Sequence, residues 1–88
     1  MACFPIDRAE QLRIEKMLLI KADKDIEDGE RRLRNQQQLL SDLRAAGHDA
    51  TQAERLVSLL QQTLIEWERH RVLIEDRVNY LERTAVPS

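Results

Sequence analysis

Leu12, Leu19, Ile26, Leu33 and Leu40 recur every seventh residue, and beyond Gly47-His48-Asp49 the same spacing resumes with Ala53, Leu60, Trp67, Ile74 and Leu81. A hydrophobic seam held at period seven follows a left-handed supercoil, so each such helix lies along another helix to bury it. Glu15, Ala22, Gly29, Gln36 and Leu43 complete the seam of the first helix, and Val57, Leu64, Arg71 and Val78 that of the second. The pattern predicts an all-α chain, an antiparallel two-helix coiled-coil hairpin.

The ends of the helices carry their own signals. Asp7, with Glu10 three residues on, has the spacing of an N-cap and its reciprocal partner, so helix one is expected over about residues 7–46, with 1–6 a disordered N-terminal segment. No proline interrupts it, and Gly29 is its one glycine. Gly47 follows the last periodic residue, where a left-handed conformation closes a helix without steric cost. His48 is placed to interact with the C-terminal dipole of helix one. Thr51 and Glu54 have the spacing of a capping box for helix two, with Asp49 a competing N-cap. A turn over about 47–50 is short enough to make the helices antiparallel neighbours. Helix two is expected over about 51–83, and residues 84–88 form a tail that Pro87 keeps out of the helix.

Folding the chain at His48-Asp49 sets a register. Leu40 falls near Val57, Leu33 near Leu64, Leu19 near Val78, and Gly29 beside Trp67. Glycine inside a helix costs about 1 kcal/mol relative to alanine, and room for the indole accounts for it here. A second apolar set lies off this seam: Ile14, Met17, Leu18 and Leu39 on helix one, and Leu56, Leu59, Ile65, Val72 and Leu73 on helix two. Two helices share only one seam, so this set marks an association surface. A symmetric homodimer forming a four-helix bundle is the closure expected.

Composition narrows the chemistry. The 88 residues hold 14 basic and 16 acidic side chains, a net charge of −2 with both signs interspersed, which argues against nucleic acid and anionic membranes as partners. The longest apolar run in the helices, Met17-Leu18-Leu19-Ile20, falls far short of the ~20 residues that span a bilayer. The first residues lack the basic and hydrophobic stretches of a secretory signal, and Cys3 is the single cysteine, so a cytoplasmic protein without an internal disulfide is expected.

Asp23, Asp25, Glu27 and Asp28 approach the composition of a calcium loop, but Gly29 is one place late and Arg34 stands where the closing glutamate belongs. A solvated face with Glu27–Arg31, Asp28–Arg32 and Glu30–Arg34 pairs is the reading adopted. Arg31, Arg32 and Arg34 sit among acids with no aromatic residue between them to stack on a base. Glu66, Glu68 and His70 miss the Glu-x-x-His register of di-metal bundles, because Trp67 holds the glutamate position, and His70 is expected to pair with Glu66. Arg71 interrupts the second seam, with its head reaching water or Asp25 across the hairpin. No nucleophile, metal or cofactor constellation is present, so neither catalysis nor a cofactor is expected.

Gly29-Glu30-Arg31-Arg32, Gln36, Leu39-Leu40, Leu43, Gly47-His48-Asp49, Ala53-Glu54, Leu56, Leu59-Leu60, Leu64 and His70-Arg71 together resemble a group of short, uncharacterised bacterial helical-hairpin proteins. The likeness spans about residues 22 to 75, and Ala50 departs from it where threonine is frequent. It implies the hairpin fold and transfers no activity. The expected function is a non-enzymatic protein–protein interaction or scaffold module. A small dimeric regulator contacting nucleic acid or a toxin partner is the alternative, and a metal-binding bundle is a third.

Overall fold

A computed structural model describes residues 7–85; the expected disordered segment 1–6 and the last three residues of the expected tail lie outside them. The chain is an antiparallel hairpin of two helices, α1 (Arg8–Ala45) and α2 (Thr51–Ala85). Their uninterrupted runs of helix-forming residues, each with an apolar row every seventh place, make them long. The described molecule measures 65 × 33 × 14 Å. Its least dimension is close to the ~10–12 Å diameter of a single helix with side chains, so the hairpin is one layer thick.

Asp7 caps α1, its carboxylate accepting the Glu10 N–H at 2.8 Å. The reciprocal half of the expected box does not form, because the Glu10 carboxylate pairs with Arg13 one turn on. At the other end Gly47 takes φ 72°, the Gly47 N–H donates to Arg44 O at 3.1 Å, and the His48 N–H donates to Leu43 O at 2.9 Å. This is a Schellman closure, which satisfies carbonyls the helix leaves open. His48 thus caps through its backbone.

The start of α2 differs from the expected Thr51–Glu54 box. Ala50 is the cap residue, buried against the hairpin. The Asp49 carboxylate accepts both the Thr51 N–H at 3.0 Å and the Thr51 hydroxyl at 2.7 Å. With its hydroxyl donated backwards, Thr51 begins the helix, and the Glu54 N–H donates to Ala50 O in ordinary helical fashion. The Glu54 side chain crosses instead to Arg44 at 3.1 Å, bracing the turn. At the far end α2 runs to Ala85, beyond the expected stop at Arg83. The Thr84 hydroxyl donates to Tyr80 O, and Arg8 of α1 donates to Thr84 O at 3.2 Å.

The seam buries Ile26 and Gly29 of α1 against Ala53, Val57, Leu64, Ile74, Val78 and Leu81 of α2. Leu12, Leu19, Leu33, Leu40, Leu43 and Leu60 are half-buried along it. No large side chain among the described residues is fully enclosed, as expected of a single contact line between two rods. A Cβ built on Gly29 would lie 2.9 Å from Leu64 Cδ2 and 3.1 Å from Trp67 Cζ3. Gly29 therefore lets α2 approach closely, and Leu64 shares the notch with the indole. Trp67 remains 40% exposed, so its ring lies across the edge of the seam.

Candidate functional site

The layer has two broad faces, and the sequence makes them different. Lys16, Asp23 and Arg44 stand multiples of seven apart along one edge of the α1 seam, and Glu54, Glu75 and Glu82 do so along α2. Across this edge Lys16 pairs with Glu82 at 3.2 Å, Arg44 pairs with Glu54, and Arg71 contacts Asp23 while holding Glu75 at 3.0 Å. The expectation for the Arg71 head is water or Asp25, and the acid it contacts is Asp23. Asp23 lies on Arg71's side of the seam, whereas Asp25 points to the opposite face and pairs with Lys21 at 2.8 Å. The hydrogen bond to Asp23 is the main influence raising the Arg71 guanidinium above its ordinary range, so it stays charged. A cation tethered between two carboxylates is at home on a seam position, its stem covering apolar surface.

The opposite face carries Leu18, Asp25, Arg32 and Leu39 at intervals of seven on α1, and Leu56, Thr63, His70 and Arg77 on α2. Leu59 and Leu73 extend it outward on α2, as does Ile14 on α1. Leu18 is 43% exposed, Leu39 45%, Leu59 62% and Leu73 66%. Between the helices this face is furrowed. A groove of about 300 Å³ is lined by Leu18, Lys21, Ala22, Trp67, His70 and Ile74 among others. It continues past Glu15, Leu73 and Arg77, and nearer the turn a second furrow lies between Leu39 and Leu56, with Gln36 and Leu43 in its wall. A furrow in a single layer stays open along its length, so it does not enclose a small molecule as a ligand pocket does. It offers a seat for another surface.

The expected association set is thus divided. Leu18, Leu39, Leu56 and Leu73 line the furrowed face. Ile14 and Leu59 stand at its outer margin, and Met17, one residue from both Lys16 and Leu18, lies on the side of α1 away from the seam. Ile65 and Val72, three residues before Glu68 and Glu75, lie about a third of a turn from Leu59 and Leu73, toward the ion-paired face. Hydropathy alone groups them; the position of the seam separates them.

Several expected local pairs are replaced by nearer ones. Asp28 pairs with Arg31 at 2.9 Å rather than with Arg32, and Glu66 pairs with Arg69 at 3.4 Å rather than with His70, whose ring faces the groove. Glu27–Arg31 and Glu30–Arg34 contacts do not form. Glu15 holds the seam position its spacing predicts, and its partner Arg77 is what sequence reasoning missed. Glu15 is 7% exposed on the seam, and its carboxylate accepts from Arg77 of α2 at 3.0 Å. The signal lay in the heptad: a carboxylate in an intermediate seam position requires a cation on the facing helix.

Among the described residues no three His, Cys, Asp or Glu side chains converge as a metal site would require, and no helix is long and apolar enough to cross a membrane. Set against known protein families, curated proteins and solved structures, the chain matches none of them.

Proposed function

We propose that this chain is a non-enzymatic helical interaction module of the cytoplasm, working as a homodimer in which two hairpins close into a four-helix bundle. Membership of the bacterial hairpin group described above is part of the same reading. The observation that carries it is the inequality of the two broad faces. One face is laced by Lys16–Glu82, Arg44–Glu54 and Arg71 with its two carboxylates, while the other presents half-exposed leucines along a furrow.

Globular domains need two packed layers to bury an apolar face, and this hairpin supplies one. A face of this length and width offers a footprint on the order of 1,000 Å² per copy, against the ~800 Å² per partner of a standard stable interface. A second copy brings a matching apolar surface by symmetry. The experiment is sedimentation of the purified full chain at tens of micromolar, beside the double variant Leu18→Glu/Leu73→Glu. A dimeric parent and a helical, monomeric variant are expected. A monomeric parent at that concentration refutes the proposal.

A further inference from the structure

Resting on the dimer reading above, we propose that association is controlled by the proton on His70: two hairpins join with the imidazole neutral and separate as acid charges it. His70 is exposed on the single hairpin, where its ring faces the groove beside Leu18, Trp67 and Ile74. It holds the middle place in the row Leu56, Thr63, His70, Arg77 and Thr84, which follows the furrow along α2. Asp25 holds the middle place in the α1 row Gln11, Leu18, Asp25, Arg32 and Leu39 and lines the same groove. A second copy laid along the furrow covers this midpoint whichever way it runs. The imidazole is therefore withdrawn from water in the dimer, and burial of this kind penalises the charged form.

The sign of the effect depends on whether an acid stands ready to balance the added charge. From α1 the groups facing His70 are Glu15, Lys21 and Asp25, and from its own helix Glu66, Arg69 and Arg77. Each carboxylate in this set already has its cation. Lys21 holds Asp25 at 2.8 Å, Arg77 holds Glu15 at 3.0 Å, and Arg69 holds Glu66 at 3.4 Å. The surroundings are thus balanced around a neutral ring and left with an unmatched positive charge around a protonated one. A second copy brings the same face, on which Asp28 is also held, by Arg31 at 2.9 Å. Asp42, which accepts from the Gln38 amide, lies toward the turn, about 26 Å along α1 from Asp25. Salt screens a charge at that distance.

Histidine is the side chain whose ordinary titration falls between pH 5 and 8, above the carboxylates and below the lysine and arginines around it. A base kept neutral by association has its pKa lowered in the dimer. The affinity is then fully present above the pKa of the free chain and is lost as pH falls through it. With one such imidazole per copy, the dimer dissociation constant rises by up to about a hundredfold between about pH 7.5 and about pH 5.5.

The experiment is sedimentation equilibrium of the full chain under reducing conditions, at those two pH values and one ionic strength, for the parent, His70→Gln and His48→Gln. The parent and His48→Gln, whose histidine sits in the turn, should weaken by tens of fold in acid, roughly, while His70→Gln changes by less than about threefold. A parent constant that is unchanged or falls at the lower pH overturns the proposal, a fall showing that a carboxylate of the second copy takes up the charge. A rise that persists undiminished in His70→Gln overturns it too, because another group is then responsible. A second measurement needs no variant: diluting the parent near pH 6.5 in buffers of different ionisation heat counts the protons taken up on dissociation. Uptake of about one proton per dimer is expected, and none, or release, overturns the proposal. A parent that is monomeric at tens of micromolar at the higher pH removes the dimer reading itself.

Discussion

Replacing Gly29 by leucine tests the packing of the hairpin at its tightest point. Two effects oppose each other. Leaving glycine relieves the helix of roughly 1 kcal/mol of unfavourable propensity. Against that, the first carbon added would stand 2.9 Å from Leu64 Cδ2 and 3.1 Å from Trp67 Cζ3, where carbon atoms rest at about 3.5–4.0 Å. Alanine adds that one carbon, and the Leu64 methyl or the half-exposed indole yields, so Gly29→Ala is expected within about 1 kcal/mol of the parent. Leucine adds three more carbons to the same notch. Overpacking of this kind costs typically 1–3 kcal/mol, and after the propensity gain a net loss of about 1–2 kcal/mol is expected. For a chain of this size that is a fall of roughly 4–8 °C in Tm per kcal/mol.

Circular dichroism melts at one fixed protein concentration provide the measurement, since association would otherwise move the midpoint. The decisive arm is a double-mutant cycle with Trp67→Ala, which empties half of the notch. The penalty of Gly29→Leu should then shrink by at least about 0.5 kcal/mol, the lower range for residues in contact. A Gly29→Leu protein that melts at or above the parent, or an undiminished penalty without the indole, would refute the reasoning.

Other outcomes follow from the same structure. Glu15→Leu should be neutral or stabilising by thermal melt, because an apolar side chain suits the seam better than a paired carboxylate. Arg77→Ala should cost about 1 kcal/mol, a modest figure because the guanidinium is largely exposed while its partner is not. Gly47→Ala places an L side chain at φ 72° and should lower stability by about 1–2 kcal/mol, with Gly47→Asn costing less; urea titration measures both. The Thr51 hydroxyl, and then the Thr51 N–H, hold the Asp49 carboxyl below its ordinary range. A depressed carboxylate contributes stability that is present above its unfolded pKa and lost as pH falls through the folded one. Asp49→Asn should therefore melt lower than the parent at neutral pH, with the difference closing in acid below the usual carboxylate range. A gap that persists there would show that the charge is not involved.

The hairpin was legible because three independent signals agreed: two heptad rows, a glycine at the break, and a turn too short to permit anything but antiparallel neighbours. The proximity of Gly29 and Trp67 follows from that register. What escaped was side-chain choice. Asp28 has Arg31 and Arg32 within one turn and Glu66 has Arg69 and His70, and exposed pairs of this kind differ by only tenths of a kcal/mol, too little for spacing alone to rank. Arg71 chose Asp23 over Asp25 because those two acids, two residues apart, point to opposite faces of α1. Ile65 and Val72 were grouped with Leu59 and Leu73 for the same reason in reverse, since hydropathy carries no direction until the seam is fixed. The two faces were written in the sequence all along, as the rows Lys16-Asp23-Arg44 and Leu18-Asp25-Arg32-Leu39, once distance from the seam is counted in both directions.

The contacts across the hairpin also form a series in chain separation. Arg44 and Glu54 are 10 residues apart, Asp23 and Arg71 48, Glu15 and Arg77 62, and Arg8 and Thr84 76. From Asp23–Arg71 outward each contact closes 14 more residues than the one before it, so the entropy of joining the far ends is met in steps. Folding can start at the Gly47 closure and run outward like a zipper, each rung bringing the next into reach. Such topologies fold fast, and the same order run backwards makes the open end, where Arg8 meets Thr84, the place where unfolding begins.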